Sequence, residues 1–129
     1  MSLPPYTDEA TLEEHLSRPT PGCIEALANV PGDIVVLGVA GKMGITLARM
    51  ARRALDELGR TDRVIGVARF SNAGSEAVLN QAGVETVRCD LLDRNAVAKL
   101  PDAPNVIFMA GMKFGTSSGP ELTWAMNTL

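Results

Sequence analysis

Seven residues carry the densest chemical signal in the chain: Gly38-Val39-Ala40-Gly41-Lys42-Met43-Gly44, set between an apolar run and a long helical pattern. A pyrophosphate settles on a helix N-terminus when backbone N–H groups point at it and no side chain blocks the approach. In that reading Gly38 permits the tight turn, Gly41 the close approach of phosphate, and Gly44 close packing of helix on strand. Ala40, Lys42 and Met43 complete the candidate loop, with Lys42 either near the phosphates or simply solvated. The competing reading is a glycine-rich turn chosen for packing; a strand before it and a helix after it favour the ligand. A P-loop is excluded, because two residues rather than four separate Gly38 from Gly41, and Met43 rather than Ser or Thr follows Lys42.

Three more positions face the same expected crevice. After the second strand the chain reads Val67-Ala68-Arg69-Phe70-Ser71-Asn72 and lacks the acid that would hold both ribose hydroxyls of NAD. Arg69, helped by Ser71, suits the extra phosphate of NADP, or is a strand-end surface cation; NADP is favoured over NAD. Asp90-Leu91 follows the third strand, where a short acid bonds an adenine amino group and the next residue packs on the ring. Asp90 can equally be a helix N-cap. Ala110-Gly111 ends the fourth strand with small residues that let a ribose and pyrophosphate lie against backbone.

Elsewhere the residue types offer little chemistry. His15 is the single histidine and Cys23 and Cys89 are unclustered, so no metal site is expected. Cys89 reads as a buried small side chain, and Lys113 as an exposed lysine in a loop. Net charge −3 with 4% aromatics argues against nucleic-acid binding. No apolar run approaches the ~18 residues that span a bilayer. The first residues lack the order of a signal peptide, and a cytoplasmic setting is expected.

The elements that must position these residues follow from periodicity. Residues 1–32 read as a helical N-terminal extension, with Thr7 capping an acidic helix that carries Leu12 and Leu16 on one face. Residues 33–129 read as one α/β domain. Ile34-Val35-Val36-Leu37 is a strand buried on both faces. A helix follows with Met43, Leu47, Met50, Ala51, Ala54, Leu55 and Leu58 on a buried stripe and Arg49, Arg52 and Arg53 in a solvated face. Further strands are expected over 63–68, 84–88 and 105–110, separated by helices, with a last helix opening at Pro120 or Glu121. That alternation predicts a Rossmann-like doubly wound parallel sheet of four strands in the order 3-2-1-4, incomplete at its fourth-strand edge.

Together these residues resemble the extended short-chain dehydrogenase/reductases, the NAD(P)-dependent epimerases and dehydratases. Gly38, Gly41 and Gly44 match that superfamily's GxxGxxG fingerprint, and Asp90-Leu91 its adenine-contacting pair. Phe108-Met109-Ala110-Gly111 takes the place of its small-residue motif, and Trp124-Ala125-Met126-Asn127 that of the helix whose asparagine supports the active site. The resemblance implies a dinucleotide cofactor and hydride transfer on a nucleotide-sugar-like carbonyl or hydroxyl substrate. Leu37 replaces the threonine often found before the first glycine. The catalytic Tyr-x-x-x-Lys is missing: Tyr6, the single tyrosine, precedes the first strand and is followed four residues later by Ala10. The chain is therefore expected to carry no catalytic residues, to be inactive alone, and to be the cofactor-binding front of a longer enzyme that homo-oligomerises through its open sheet edge. A stand-alone NAD(P)-binding or sensing module, or a domain using the loop for another phosphate ligand, are the alternatives.

Overall fold

The structure, a computed structural model, describes residues 8–110. Tyr6, Thr7, Gly111, Lys113 and the expected last helix with Trp124–Asn127 lie outside the described residues. Among the described residues four parallel strands form one sheet: β1 (Ile34–Leu37), β2 (Val64–Ala68), β3 (Glu85–Arg88) and β4 (Asn105–Phe108), in the order β3-β2-β1-β4. The expected order is the observed one. The first strand has its expected bounds and the other three are shorter: Arg63, Val84, Met109 and Ala110 lie just outside them.

Register makes the strand ends coincide. Leu37 pairs with Val67 on one side and Phe108 on the other, and Ala68 pairs with Arg88. All carboxyl ends therefore open at one rim. The strand order reverses between β1 and β4, so the crevice outside those ends is the switch point where ligands bind in open α/β sheets.

Five helices are found among the described residues: α1 (Glu9–Leu16), α2 (Pro21–Ala28), α3 (Lys42–Glu57), α4 (Ala73–Gln81) and α5 (Arg94–Val97). Period-two alternation divides the apolar strand residues between two cores. Ile34, Val36, Val64 and Ala68 join Val39, Ala48, Ala51, Leu55, Phe70, Leu79 and Val84 on one face, under α3 and α4. Val35, Ile65, Val67 and Cys89 form the other, with Leu91, Ala96 and Leu100 against them.

Three sequence expectations change at the helices. Asp8 caps α1 in place of Thr7, its carboxylate accepting from the Thr11 N–H at 2.7 Å. Met43 is 76% exposed, because it sits in the first turn of α3, ahead of the stripe that contacts the sheet. The arginines of α3 are not a solvated face: Arg49 and Arg53 fasten the extension, and Arg52 ties the helix to the turn before β2. Arg53 donates to the Glu14 carbonyl at 2.9 Å, to Ser17 Oγ at 2.8 Å and to Glu14 Oε1 at 2.9 Å. Arg49 pairs with Glu13 at 3.2 Å, while Arg52 donates to the Asp62 carbonyl at 2.7 Å. Periodicity places these side chains away from the sheet correctly, but cannot reveal that α1 lies there.

Candidate functional site

The glycine loop is pinned from beneath. Val39 is fully buried, and a Cβ on Gly66 of β2 would come within 2.8 Å of Val39 Cγ1. Val39 thus occupies the space that a side chain at 66 would fill. Gly44, in the first turn of α3, rests on the same residue: its Cβ would meet the Val39 carbonyl oxygen at 2.6 Å. Gly38 has φ +82, and a Cβ there would meet the Ala110 backbone nitrogen at 2.5 Å. Glycine is required at 38 and 44 by backbone contacts inside the protein.

Gly41 is different. It is the N-cap of α3 with φ −74, a conformation any residue adopts, and a Cβ there would meet nothing within 4 Å. Neither strain nor packing within the described residues demands glycine. The first N–H groups of a helix have no intrahelical partner, and α3 has no side-chain cap. The other helices are capped by Asp8, Thr20, Asn72 and Asp93. The positive end of the α3 dipole is left open beside a bare backbone, a geometry that accepts an anion.

A cleft of about 180 Å³ opens at this rim, lined by Gly38, Ala40, Gly41, Ala68, Arg69, Phe70, Ser71, Cys89, Asp90, Leu91 and Ala110. Eight of the residues expected from sequence therefore come together: Gly38, Ala40, Gly41, Arg69, Ser71, Asp90, Leu91 and Ala110. Gly44 lies behind the wall as packing. Lys42 and Met43 instead line a separate apolar groove of about 650 Å³ between α1 and α3, with Leu12, Leu16 and Met50.

The cleft's side chains divide by chemistry. Arg69 is exposed and makes no ion pair among the described residues, whereas Arg49, Arg52, Arg53, Arg60, Arg63 and Arg88 each do. Asp90 accepts from the Leu92 N–H at 3.0 Å. It is not a helix cap: that place is taken by Asp93, which accepts from Asn95 and Ala96. Burial, seconded by the Asp90 and Asp93 charges, pushes the Cys89 thiol above its usual range. It stays neutral and poorly nucleophilic at neutral pH.

Ala68, Phe70 and Cys89 are the cleft residues that sequence reasoning did not assign to the site, and Phe70 is the unusual one. It has φ +51, alone among non-glycine described residues in being positive, and it is 4% exposed. Left-handed backbone is a genuine outlier for a bulky residue, and no sequence pattern announces it here. An aromatic set between Arg69 and Ser71 was the one hint the sequence offered, and it spoke for a buried anchor rather than for the turn.

Among the described residues no three His, Cys, Asp or Glu side chains gather as a metal site, and no helix is long and apolar enough to cross a membrane. A model of the NAD dependent epimerase/dehydratase family matches residues 34–129, from the first residue of β1 onward. No curated protein matches the sequence.

Proposed function

The chain belongs to the NAD-dependent epimerase/dehydratase family, and we propose that its rim cleft holds the adenosine and pyrophosphate end of NADP or NAD, as part of an enzyme acting on a nucleotide-sugar-like carbonyl or hydroxyl group. The observation that carries this reading is Gly41, a glycine at a helix N-cap with ordinary φ and an empty Cβ direction. A backbone kept bare where no described residue uses the space fits a phosphate resting there.

The residues present fit the cofactor in kind. Backbone N–H groups of the uncapped first turn of α3 bind pyrophosphate oxygens. The Asp90 carboxylate keeps acceptor capacity beyond its bond to Leu92, and takes the adenine amino group, with Leu91 packing on the ring. Small residues at Gly38 and Ala110 leave the floor flat. The nicotinamide, when bound, supplies the hydride chemistry. A volume of about 180 Å³ falls below the ~300–1,000 Å³ of typical ligand pockets, which suits one end of a dinucleotide.

Arg69 sets the preference for NADP. An acid at the end of β2 is absent, and a guanidinium with no ion-pair partner among the described residues stands in its place. The fork geometry of arginine matches a phosphate monoester. Residues 33–129 form the binding domain in this reading, and residues 8–32 of the N-terminal extension brace α3. The sequence contains no Tyr-x-x-x-Lys, so the binding half of the reaction is what these residues perform, in a cytoplasmic protein.

Titrating the full chain with NADPH and NADH, reading nucleotide fluorescence, tests the proposal. Gly41→Val is expected to weaken both by about tenfold or more with the melting temperature within a few degrees of wild type. Binding that is unchanged in Gly41→Val, or absent from the wild type at millimolar nucleotide, overturns it.

A further inference from the structure

The nucleotide preference proposed for Arg69 needs that side chain, and Ser71 two residues on, to be held at the cleft. Both are exposed side chains just beyond the end of β2 at Ala68. The last ladder contact before them is the Cys89 N–H donating to the Ala68 carbonyl at 2.9 Å. Helix α4 begins at Ala73, with Asn72 as its cap accepting from the Gly74 N–H. Residues 69 to 71 are therefore a three-residue bridge between sheet and helix. No hydrogen bond from the Arg69 or Ser71 side chain to a described residue fixes it.

Phe70 stands in the middle of this bridge. Its side chain belongs to the same buried cluster as Val39 of the glycine loop, Ala68 of β2 and Leu79 of α4. Its backbone takes the left-handed conformation at φ +51, which a bulky residue adopts only where its surroundings over-determine it. Burial of the ring is what over-determines it here. A glycine or asparagine would take the same turn without strain, so ease of turning does not account for an aromatic at this position. The ring ties the bridge to the core that also carries the glycine loop.

We propose that Phe70 is the positioning residue for cofactor selection: its buried ring locks the left-handed turn that presents Arg69 and Ser71 to the 2′-phosphate of NADP. This rests on the reading of the cleft as the adenosine site. Phe70 acts through its neighbours and touches no reacting atom. Loss of the ring frees the bridge, and Arg69 then spends its time in solvent. Affinity for NADPH falls, while NADH, which has no 2′-phosphate to lose, is little affected.

The test is the ratio of NADPH to NADH affinity in the full chain for wild type, Arg69→Ala, Phe70→Gly and Phe70→Leu, with folding checked by circular dichroism. Phe70→Gly is expected to reduce the ratio by about tenfold, towards the value of Arg69→Ala, since a charge-assisted contact is lost. Phe70→Leu keeps an apolar anchor and is expected to keep most of the wild-type ratio. Should Phe70→Gly not fold, Phe70→Asn takes its place, accepting the left-handed backbone without the ring. A purely structural Phe70 would lower both affinities together, or neither, and that result overturns the assignment. Wild type binding both nucleotides equally, with Arg69→Ala neutral, overturns the Arg69 reading and this one with it. A wild-type preference that survives in Phe70→Gly overturns the Phe70 assignment alone.

Discussion

The two faces of the sheet are unequal. One lies under α3 and α4, the two longest of the described helices, and α1 and α2 lie over α3 in turn. There Val36, Val39, Leu55 and Leu79 are fully buried. Among the described residues the other is covered by α5, four residues long, and the loops around it. Val106 pairs with Val35 and Phe108 with Leu37, so both β4 side chains point to this second face. They are 58% and 50% exposed. Right-handed crossovers explain the asymmetry. The steps from β1 to β2 to β3 run in one direction and place both helices on one face. The return from β3 to β4 runs the other way and places α5 opposite. The cleft sits at the rim between them, its glycine loop rooted in the thick face through Val39 and its Asp90-Leu91 side resting on the thin one.

That difference is open to direct attack. Leu55→Ala on the thick face is expected to cost about 2–5 kcal/mol, the range for truncating a fully buried leucine, read from chemical denaturation. Gly44→Ala forces a Cβ against the Val39 carbonyl, and a backbone atom cannot move aside as a side-chain tip does. It is expected to cost about 1–3 kcal/mol and to weaken nucleotide binding, because the first turn of α3 shifts. Phe108→Ala on the thin face should cost only about 1 kcal/mol, half the transfer energy of a fully buried ring. A Phe108→Ala loss as large as that of Leu55→Ala would show that the two faces are equally packed in solution.

Acid gives a smaller and more local effect. Hydrogen bonds and charge from Arg18 and Arg53 hold the Glu14 carboxyl below the usual glutamate range. A lowered folded-state value contributes stability above the unfolded-state value and loses it as pH falls through the folded one. As pH drops below about 4, the α1 attachment should loosen before the sheet does. Faster amide exchange in α1 than in α3 at low pH would register it, and simultaneous exchange of the two would contradict it. Smallest of all is the effect at Cys89. Its raised thiol value means that stability declines as pH climbs past about 8.5, where the unfolded thiol ionises. Alkylation at pH 8 is expected to mark the half-exposed Cys23 in minutes and Cys89 only in denaturant.

Much of this was legible from sequence because it depends on near neighbours. The run Ile34-Val35-Val36-Leu37 and the helix ending before Gly59 follow from periodicity, and the strand order from crossover handedness. Eight residues that spacing brought together do line one cleft. Less legible was anything set by a distant partner. Met43 fits the stripe of α3 by periodicity and is exposed, because the sheet ends beneath the helix's first turn. Asp90 and Asp93 are both plausible caps by type, and only the position of α5 chooses Asp93. The arginines of α3 look like a solvated face until α1 is seen to lie against them.

By itself the sequence determined the parallel α/β architecture, the place of the glycine loop between its first strand and first long helix, and the lack of a Tyr-x-x-x-Lys pair. These rest on hydrophobic period, turn chemistry and composition, which act over a few residues. Tertiary structure alone decided what each glycine is for. Gly38 and Gly44 answer to backbone atoms of Ala110 and Val39, and Gly41 answers to nothing among the described residues. It also decided that Phe70 turns left-handed between Arg69 and Ser71. Both outcomes arise from close packing between segments far apart in the chain, where a clash of a few tenths of an ångström outweighs any local preference.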